Sequence, residues 1–181
     1  MKNSIKITLT ACTLAMGFTL FFGCSSDHPT AVDDPAGAGL GGPAEVLTEM
    51  RRVYEAMDPV AYERLIHSEF RFMTDLDELL DREEDLASTR RLFSGVAQKN
   101  SAGRDVPAIR SIEFLTLDLV EEWAVADDAH WSEAVLVRRA VVDYRFILHL
   151  DDGRILASGR QLVWAADLMD DGWKLLGQQD L

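Results

Sequence analysis

The sequence predicts an α+β domain in which three N-terminal helices pack on a strongly curved antiparallel β-sheet. Apolar residues recur at helical spacing between residues 43 and 94, and long runs of β-type residues follow from residue 107 onward. Two junctions between these runs, at 151–154 and 170–173, carry the Asp-Asp-Gly chemistry of tight hairpin turns. Helices followed by an antiparallel meander favour a fold whose helices cover one face of the sheet.

A secretory signal peptide is expected at residues 1–23. Lys2 and Lys6 precede an apolar segment that extends to Gly23 without another charge. A membrane-spanning helix needs roughly 20 apolar residues with suitable flanks, whereas this run is somewhat short and small polar residues follow it. We therefore expect that the segment is removed rather than retained as a membrane span.

Two cysteines are candidates for the position at which the signal peptide is cleaved. Cys12 ends the stretch LTAC, which resembles the bacterial lipobox in residue type, but cleavage there would leave only a few apolar residues before the cut. Cys24 follows the full apolar run, with Leu20 and Gly23 before it and Ser25 after it. We therefore predict that Cys24 is lipidated; the alternative is an ordinary signal peptide with a leftover thiol.

The lipobox resemblance implies cleavage before Cys24 and diacylation of its sulfur, which would anchor the protein in a lipid bilayer. By resemblance to Gram-negative lipoproteins, Ser25 implies a location in the bacterial cell envelope, on the outer membrane and facing the periplasm. Loss of Lys2 and Lys6 reduces the 18 basic residues to 16 against 31 acidic ones, so the formal net charge becomes 16 − 31 = −15. That charge repels phosphate backbones, and no nucleic acid partner is expected.

The lipidated cysteine and a flexible tether occupy residues 24–42, which are rich in Gly, Ala, Pro and Asp. Residues 43–181 form the α+β domain, because about 140 residues suffice for a self-sufficient core. After Pro43, the first helix places its apolar residues on one face: Val46, Leu47, Met50, Val53, Tyr54 and Met57.

Capping signals mark the next two helices. Asp58 is the expected N-cap of a second helix that begins at Pro59. Asp81 and Glu84 have the spacing of a capping box, which predicts a third helix over 82–94. Between these helices, the alternating stretch EFRFM predicts a short strand.

One β-type run of about 18 residues ends at Leu150 and exceeds the usual strand length of about 3 to 10 residues. A strand of that length is expected to bend or bulge and so to wrap the sheet around the helices. The residues expected on its inward face are Leu136, Ala140, Val142, Tyr144, Phe146, Leu148 and Leu150. Arg139, Asp143, Arg145 and His149 alternate with them on the other face.

The order of these elements resembles the nuclear transport factor two superfamily, which includes ketosteroid isomerase-like and SnoaL-like proteins. The residues that carry the resemblance are VYEAMDPVAYERLIHSEFRF near the start and DDGRILASGRQLVWAADLMDDGWKLLGQQD at the end. The resemblance covers about residues 43–181 and implies a cone-shaped fold with a pocket at its open end. Because this fold hosts enzymes, ligand binders and dimerisation modules, the function depends on individual residues.

Catalytic candidates follow from the isomerase branch, which uses a carboxylate base, a tyrosine and a protonated carboxylic acid. The resemblance places Asp75 near the base and Tyr54 approximately at the tyrosine. The place of the acid falls at or next to Phe146, which cannot donate a hydrogen bond, so the set is incomplete. Asp75 and Tyr54 are therefore weak candidates, and the sequence leans against an enzyme.

Neither a metal nor a cofactor is expected. The histidines lack metal-ligand spacing, and the chain has no Gly-rich phosphate loop and no nucleophile elbow. The candidate ligand-binding residues are aromatic: Tyr54, Tyr144, Phe146 and Trp164.

The sequence thus favours a membrane-anchored, envelope-facing and non-catalytic module that binds a small apolar ligand. One alternative is a structural or interaction domain that forms a homodimer through its outer sheet face. A second alternative is a carboxylate-based isomerase or another SnoaL-like enzyme.

Overall fold

A computed structural model describes residues 39–99, 105–126, 136–168 and 171–181. The predicted signal peptide, Cys24 and the tether as far as residue 38 lie outside the described residues. Within the described part of the chain, no helix is long and apolar enough to cross a membrane.

The described residues contain three helices, and two of them begin directly after the predicted capping residues. They are α1 (Pro43–Ala56), α2 (Pro59–Leu65) and α3 (Arg82–Phe93). The carboxylate of Asp58 accepts hydrogen bonds from the first backbone N–H groups of α2, and Asp81 and Glu84 form the predicted capping box of α3. Both capping predictions are confirmed.

In the same part of the chain, eight strands accompany the helices. They are β1 (Ile66–Met73), β2 (Leu79–Asp81), β3 (Gln98–Lys99), β4 (Asp105–Val106), β5 (Ile109–Val125), β6 (Leu136–Leu150), β7 (Arg154–Asp167) and β8 (Trp173–Asp180). β1 begins three residues before the predicted strand EFRFM, because α2 passes directly into extended backbone at Ile66.

Six strands form one curved sheet in the order β2-β1-β8-β7-β6-β5, and β3 pairs with β4. The strands β5 to β8 form the predicted antiparallel meander. β1, however, runs parallel to β8, so the sheet is mixed rather than wholly antiparallel. Only a tight hairpin forces antiparallel pairing, and β1 is separated from β8 by most of the domain. The α+β class, with helices on one side of a curved sheet, is confirmed.

The predicted bulges lie in β5 and not in β6. β6 pairs with β7 without a break in register, whereas the pairing of β5 with β6 shifts at four places, each of which inserts an extra residue into β5. Each insertion bends the strand and increases its twist. The curvature of the sheet is therefore concentrated at the β5 edge.

The two Asp-Asp-Gly turns differ. Gly172 adopts the expected left-handed backbone with φ of +69°, but Gly153 does not adopt a positive φ. The prediction was thus correct for the turn before β8 and wrong for the turn between β6 and β7. That turn closes instead by a hydrogen bond from the backbone N–H of Leu150 to the carbonyl of Gly153.

Leu40 joins the domain, although the sequence assigned it to the tether. Its carbonyl accepts a hydrogen bond from the backbone N–H of Trp173, and its side chain packs on the core.

α1 also covers part of the β5 edge. The Arg51 guanidinium donates to the carbonyl of Phe114 (3.0 Å), and the backbone N–H of Phe114 donates to the carboxylate of Glu55 (3.1 Å). Arg51 and Glu55 form an ion pair with each other (3.2 Å). These two side chains thus satisfy the backbone groups that a neighbouring strand would otherwise take.

Candidate functional site

The two faces of the sheet have different neighbours. Val142, Val163 and Leu175 lie in the main core beneath the helices, and Tyr144 and Phe146 pack against that core. Trp164 packs instead with a smaller cluster of Val137, Ala166 and Leu176 on the opposite, outer face. Trp164 therefore cannot share a pocket wall with Tyr144 and Phe146, which corrects the prediction for this residue.

The three helices bring together a group of polar and aromatic residues that we call the deep cluster: Tyr54, Tyr62, Asp85, Thr89 and Phe93. The hydroxyl of Tyr62 donates to the carboxylate of Asp85 (2.8 Å). The ring of Tyr54 meets that of Tyr62 edge to face, with ring centroids 5.6 Å apart, and Tyr62 and Thr89 both act on the pKa of the Tyr54 hydroxyl. The Tyr62–Asp85 hydrogen bond thus joins α2 to α3, and the ring of Tyr54 on α1 packs against Tyr62 and Phe93 of those helices.

Burial controls the titration of the deep cluster. It is the main cause that raises the pKa of Asp85 to about 6, although the hydrogen bond from Tyr62 acts in the opposite direction. Burial also raises the pKa of Tyr62 and of Tyr54 well above the usual range of a phenol. Part of the Tyr54 residue remains accessible to solvent, but the raised pKa of its hydroxyl indicates that this group is enclosed. Both tyrosines are thus neutral hydrogen-bond donors.

A row of aromatic rings connects the deep cluster with the open end of the cone. Tyr54 meets Phe114 edge to face with ring centroids 6.2 Å apart, and Phe114 lies 5.3 Å from Phe146. Phe146 stacks on Tyr144 at 5.6 Å with an angle of 21° between the rings. Phe146, the residue at the expected place of an acid, is therefore a spacer in an aromatic row.

Toward the C-terminal end of β8, the inner face carries polar residues that we call the mouth cluster: Tyr144, Gln161, Gln178 and Asp180. Gln178 donates through Nε2 to Oε1 of Gln161 (3.1 Å) and to the sulfur of Met50 (3.4 Å). Gln161 in turn donates through Nε2 to Asp180 Oδ1 (2.8 Å). The register of the strands explains this arrangement, because Gln161 lies opposite Asp180, and Gln178 opposite the core residue Val163.

The ring of Tyr144 fits against β7 because residue 159 is a glycine. It pairs with Gly159 on β7, and a Cβ added to Gly159 would lie 2.5 Å from the tyrosine hydroxyl oxygen. The ring of Tyr144 therefore lies flat against the backbone of β7, where only glycine leaves it room.

Asp75 joins this end of the cone from a neighbouring strand. Met73 of β1 lies beside Gln179 of the parallel strand β8, so Asp75 and Asp180 leave the same end of the sheet. The loop that carries Asp75 is fixed by Thr74, whose buried hydroxyl accepts hydrogen bonds from two backbone N–H groups.

The charges of the mouth cluster are coupled. Burial raises the pKa of Tyr144 to about 12, and the carboxylates of Asp180 and Asp75 add to the effect. Burial likewise raises the pKa of Asp180, the hydrogen bond from Gln161 lowers it, and the charge of Asp75 raises it further. The phenol of Tyr144 thus remains protonated beside two carboxylates.

Tyr144 and Phe146 stack on each other, and the charge of Asp75 acts on the pKa of Tyr144, whereas Tyr54 lies two rings away along the aromatic row. Sequence reasoning missed Asp180, Gln161 and Gln178. A signal existed for two of them: in the closing stretch LLGQQD, Gln178 and Asp180 alternate as residues on one strand face do. Sequence reasoning also missed Asp85, which lies near the start of α3.

Two surface grooves lie away from this site. One of about 800 Å³ is lined by charged residues of β1, α3 and the start of β8, and another of about 570 Å³ lies beside Gly95 and Asp151. In the first groove, Arg82 forms ion pairs with Glu63 and Glu83. Neither groove is lined by the mouth cluster or by the deep cluster, and we place the candidate site at the mouth.

No family model matches this sequence, and no curated protein resembles it in sequence. Solved structures do match its fold. A conserved protein from Planctomyces limnophilus matches with a TM-score of 0.56 at 12% identity, over 75% of this chain and 89% of that chain. A protein of unknown function from Mycobacterium tuberculosis matches with a TM-score of 0.53 at 13% identity, over 76% of this chain and 68% of that chain.

An NTF2-like protein of unknown function in nutrient uptake, from Rhodospirillum rubrum, matches with a TM-score of 0.50 at 17% identity, over 76% of this chain and 94% of that chain. Likeness at this level of identity concerns the fold alone. The fold is that of the nuclear transport factor two-like proteins.

Proposed function

We propose that this chain is a lipid-anchored protein of the bacterial cell envelope that binds a small ligand at the mouth of its cone and does not transform it. The observation that carries the proposal is the position of the mouth cluster, where Gln161 and Asp180 lie beside the stacked rings of Tyr144 and Phe146. An apolar surface with a few convergent polar groups is the usual composition of a small-molecule site.

The distribution of the catalytic candidates supports binding without catalysis. The hydroxyl of Tyr54 is buried within the deep cluster, whereas Asp75 is exposed. A base and a donor must reach the same substrate atom to act together. In this fold the rings of Phe114 and Phe146 lie between the two candidates.

Retention of a ligand through purification tests the binding proposal. Native mass spectrometry of the full chain in detergent is expected to detect an additional mass that disappears on denaturation. Tyr144→Ala should reduce its occupancy because the apolar wall is lost. Leu156→Ala, at an exposed position of the outer sheet face, is the matched control and should leave the mass unchanged. A bare protein that forms a clean dimer would instead favour the interaction domain.

The anchor rests on the sequence and has its own test. The full chain is expected to partition into the detergent phase and to incorporate labelled acyl chains, whereas Cys24→Ala should do neither. Cys12→Ala is the matched control and should behave as the natural chain does. Unchanged partitioning of Cys24→Ala would overturn the proposed anchor while leaving the binding proposal intact.

A further inference from the structure

One arginine of β6 faces the inner side of the sheet, where its neighbours across the strands are apolar. Arg138 lies opposite Val125 on β5 and opposite Ala165 on β7. Ala165 belongs to the main core beneath the helices, and residues that pair across antiparallel strands share a face of the sheet. The side chain of Arg138 therefore projects to the inner face, at a half-buried position.

The guanidinium of Arg138 has no ion-pair partner and no hydrogen-bond acceptor within the described part of the chain. Arg139, the next residue, points to the outer face and is exposed, so water solvates its charge. A half-buried charge that lacks a counter-ion is unfavourable. A bound anion would supply the counter-ion that Arg138 lacks.

A second donor without an acceptor lies beside Arg138. The indole Nε1 of Trp123 is buried and has no hydrogen-bond partner among the described residues. Trp123 packs against the main core and precedes Val125 by two positions, so it lies diagonally next to Arg138 on the inner face. Native proteins leave few buried N–H groups unpaired, and an oxygen of a bound molecule would satisfy this one.

Exposed apolar side chains complete the surface around these two donors. Val125 is 57% exposed, and Leu119, which pairs with the core residue Val142, is 41% exposed. Both lie on the inner face of β5, one before and one after Trp123 in the sequence, where they can pack on an alkyl chain. We call these four residues the arginine site: Leu119, Trp123, Val125 and Arg138.

We propose that the arginine site binds an aliphatic monocarboxylate. Arg138 donates two parallel hydrogen bonds to the carboxylate, Trp123 Nε1 donates to one of its oxygens, and the alkyl chain packs on Leu119 and Val125. A single cation balances a single negative charge, whereas a phosphate group would bring more negative charge to a chain whose formal net charge is already −13.

The arginine site is separate from the mouth cluster. Arg138 and Tyr144 both lie on β6, about 20 Å apart along an extended strand at about 3.3 Å per residue. The two sites can therefore be tested independently of each other.

The probes are hexanoate, hexanol and hexylammonium, which share one alkyl chain and differ in charge, and acetate, which has the carboxylate without the long chain. Each is titrated into the full chain in a non-ionic detergent, and the indole N–H resonances are followed by NMR; Trp123→Phe identifies the resonance of Trp123. Hexanoate is expected to bind at least about tenfold more tightly than the other three probes. It should also shift the Trp123 resonance downfield, because a carboxylate oxygen becomes the acceptor of that N–H.

Variants of two adjacent arginines test the assignment. Arg138→Gln should weaken the binding of hexanoate by about tenfold and leave the affinity for hexanol unchanged. Arg138→Lys keeps the charge but not the planar pair of donors, so it should lose less affinity than Arg138→Gln. Arg139→Gln is the matched control, because it removes the neighbouring charge on the outer face, and it should have no effect.

Three results would overturn the proposal. Equal binding of hexanol and hexanoate would mean that Arg138 only covers apolar surface. Binding of hexanoate that survives Arg138→Gln, or that leaves the Trp123 resonance unmoved, would place the carboxylate elsewhere. Absence of binding by all four probes would show that the arginine site holds no such ligand. None of these results bears on the mouth cluster, whose ligand is tested through Tyr144→Ala.

Discussion

At the scale of single residues, Asp85 makes the stability of the fold depend on pH. Its pKa is about 6 in the folded protein and 3.8 as its ordinary value, so folding favours the protonated form. The stabilisation is fully present below about pH 4 and is lost as the pH rises through about 6. We expect the free energy of unfolding to fall by about 3 kcal/mol over this interval from Asp85 alone.

The substitution Asp85→Asn isolates this effect, because asparagine cannot ionise and still offers Tyr62 an acceptor oxygen. Urea unfolding at pH 4.5 and at pH 7.5 is expected to show a variant that is more stable than the natural chain at the higher pH only. Asp118→Asn, at an exposed position of β5, serves as the control. A difference between variant and natural chain that does not change with pH would contradict the role of Asp85.

Two glycines at equivalent sequence motifs are expected to respond differently to substitution. Gly172 has a φ of +69°, and a Cβ there would lie 2.7 Å from the backbone of Gly39. Gly172→Ala should therefore cost roughly 1 to 3 kcal/mol of stability. Gly153 has ordinary backbone and no atom within 4 Å of an added Cβ, so Gly153→Ala should be neutral or slightly stabilising.

Thermal unfolding of the two glycine variants side by side measures the difference. Equal losses of stability in both variants would mean that the two turns share one backbone conformation.

At the scale of elements, the contact between α1 and β5 determines how the long edge strand is protected. Glu55→Ala removes the acceptor for the backbone N–H of Phe114, and a half-buried donor without a partner costs about 1 to 3 kcal/mol. Amide hydrogen exchange should accelerate at Phe114, and the unfolding midpoint should fall.

The matched control is Glu49→Ala on the same helix, since Glu49 pairs with Arg52 at the surface and its loss should cost less than about 1 kcal/mol. Equal effects of the two substitutions would show that the contact with β5 contributes nothing of its own.

The sequence predicted individual elements well where a local signal existed. Asp58 followed by Pro59, and Asp81 spaced from Glu84, marked two helix starts because capping depends on residues only two or three positions apart. The face of the sheet on which Trp164 lies could also have been predicted from the sequence. Counting outward from the turn after Leu150 pairs residue 164 with residue 139, which the alternation had already assigned to the outer face.

At the scale of the whole molecule, the class of fold was predictable but the neighbours in the sheet were not. The order of helices and strands indicated an α+β cone, since each element has its own periodicity. Nothing local relates β1 to β8, because their pairing joins Ile66 to Leu175 across most of the domain. Asp75 and Asp180 leave the same end of the sheet because of that pairing, which is why this end of the molecule could be recognised only in part.

The central position of β8 also sets the order in which the domain can be completed. β8 follows every other strand along the chain and yet separates β1 from β7 in the sheet. β1 and β2 leave the ribosome long before β8, the strand that joins them to the meander, has been synthesised. Contacts between segments so far apart in sequence form slowly. The nascent chain therefore lacks a complete six-stranded sheet for most of its synthesis. For a protein expected to leave the cytoplasm, that delay favours translocation in an extended form, with folding on the far side of the membrane.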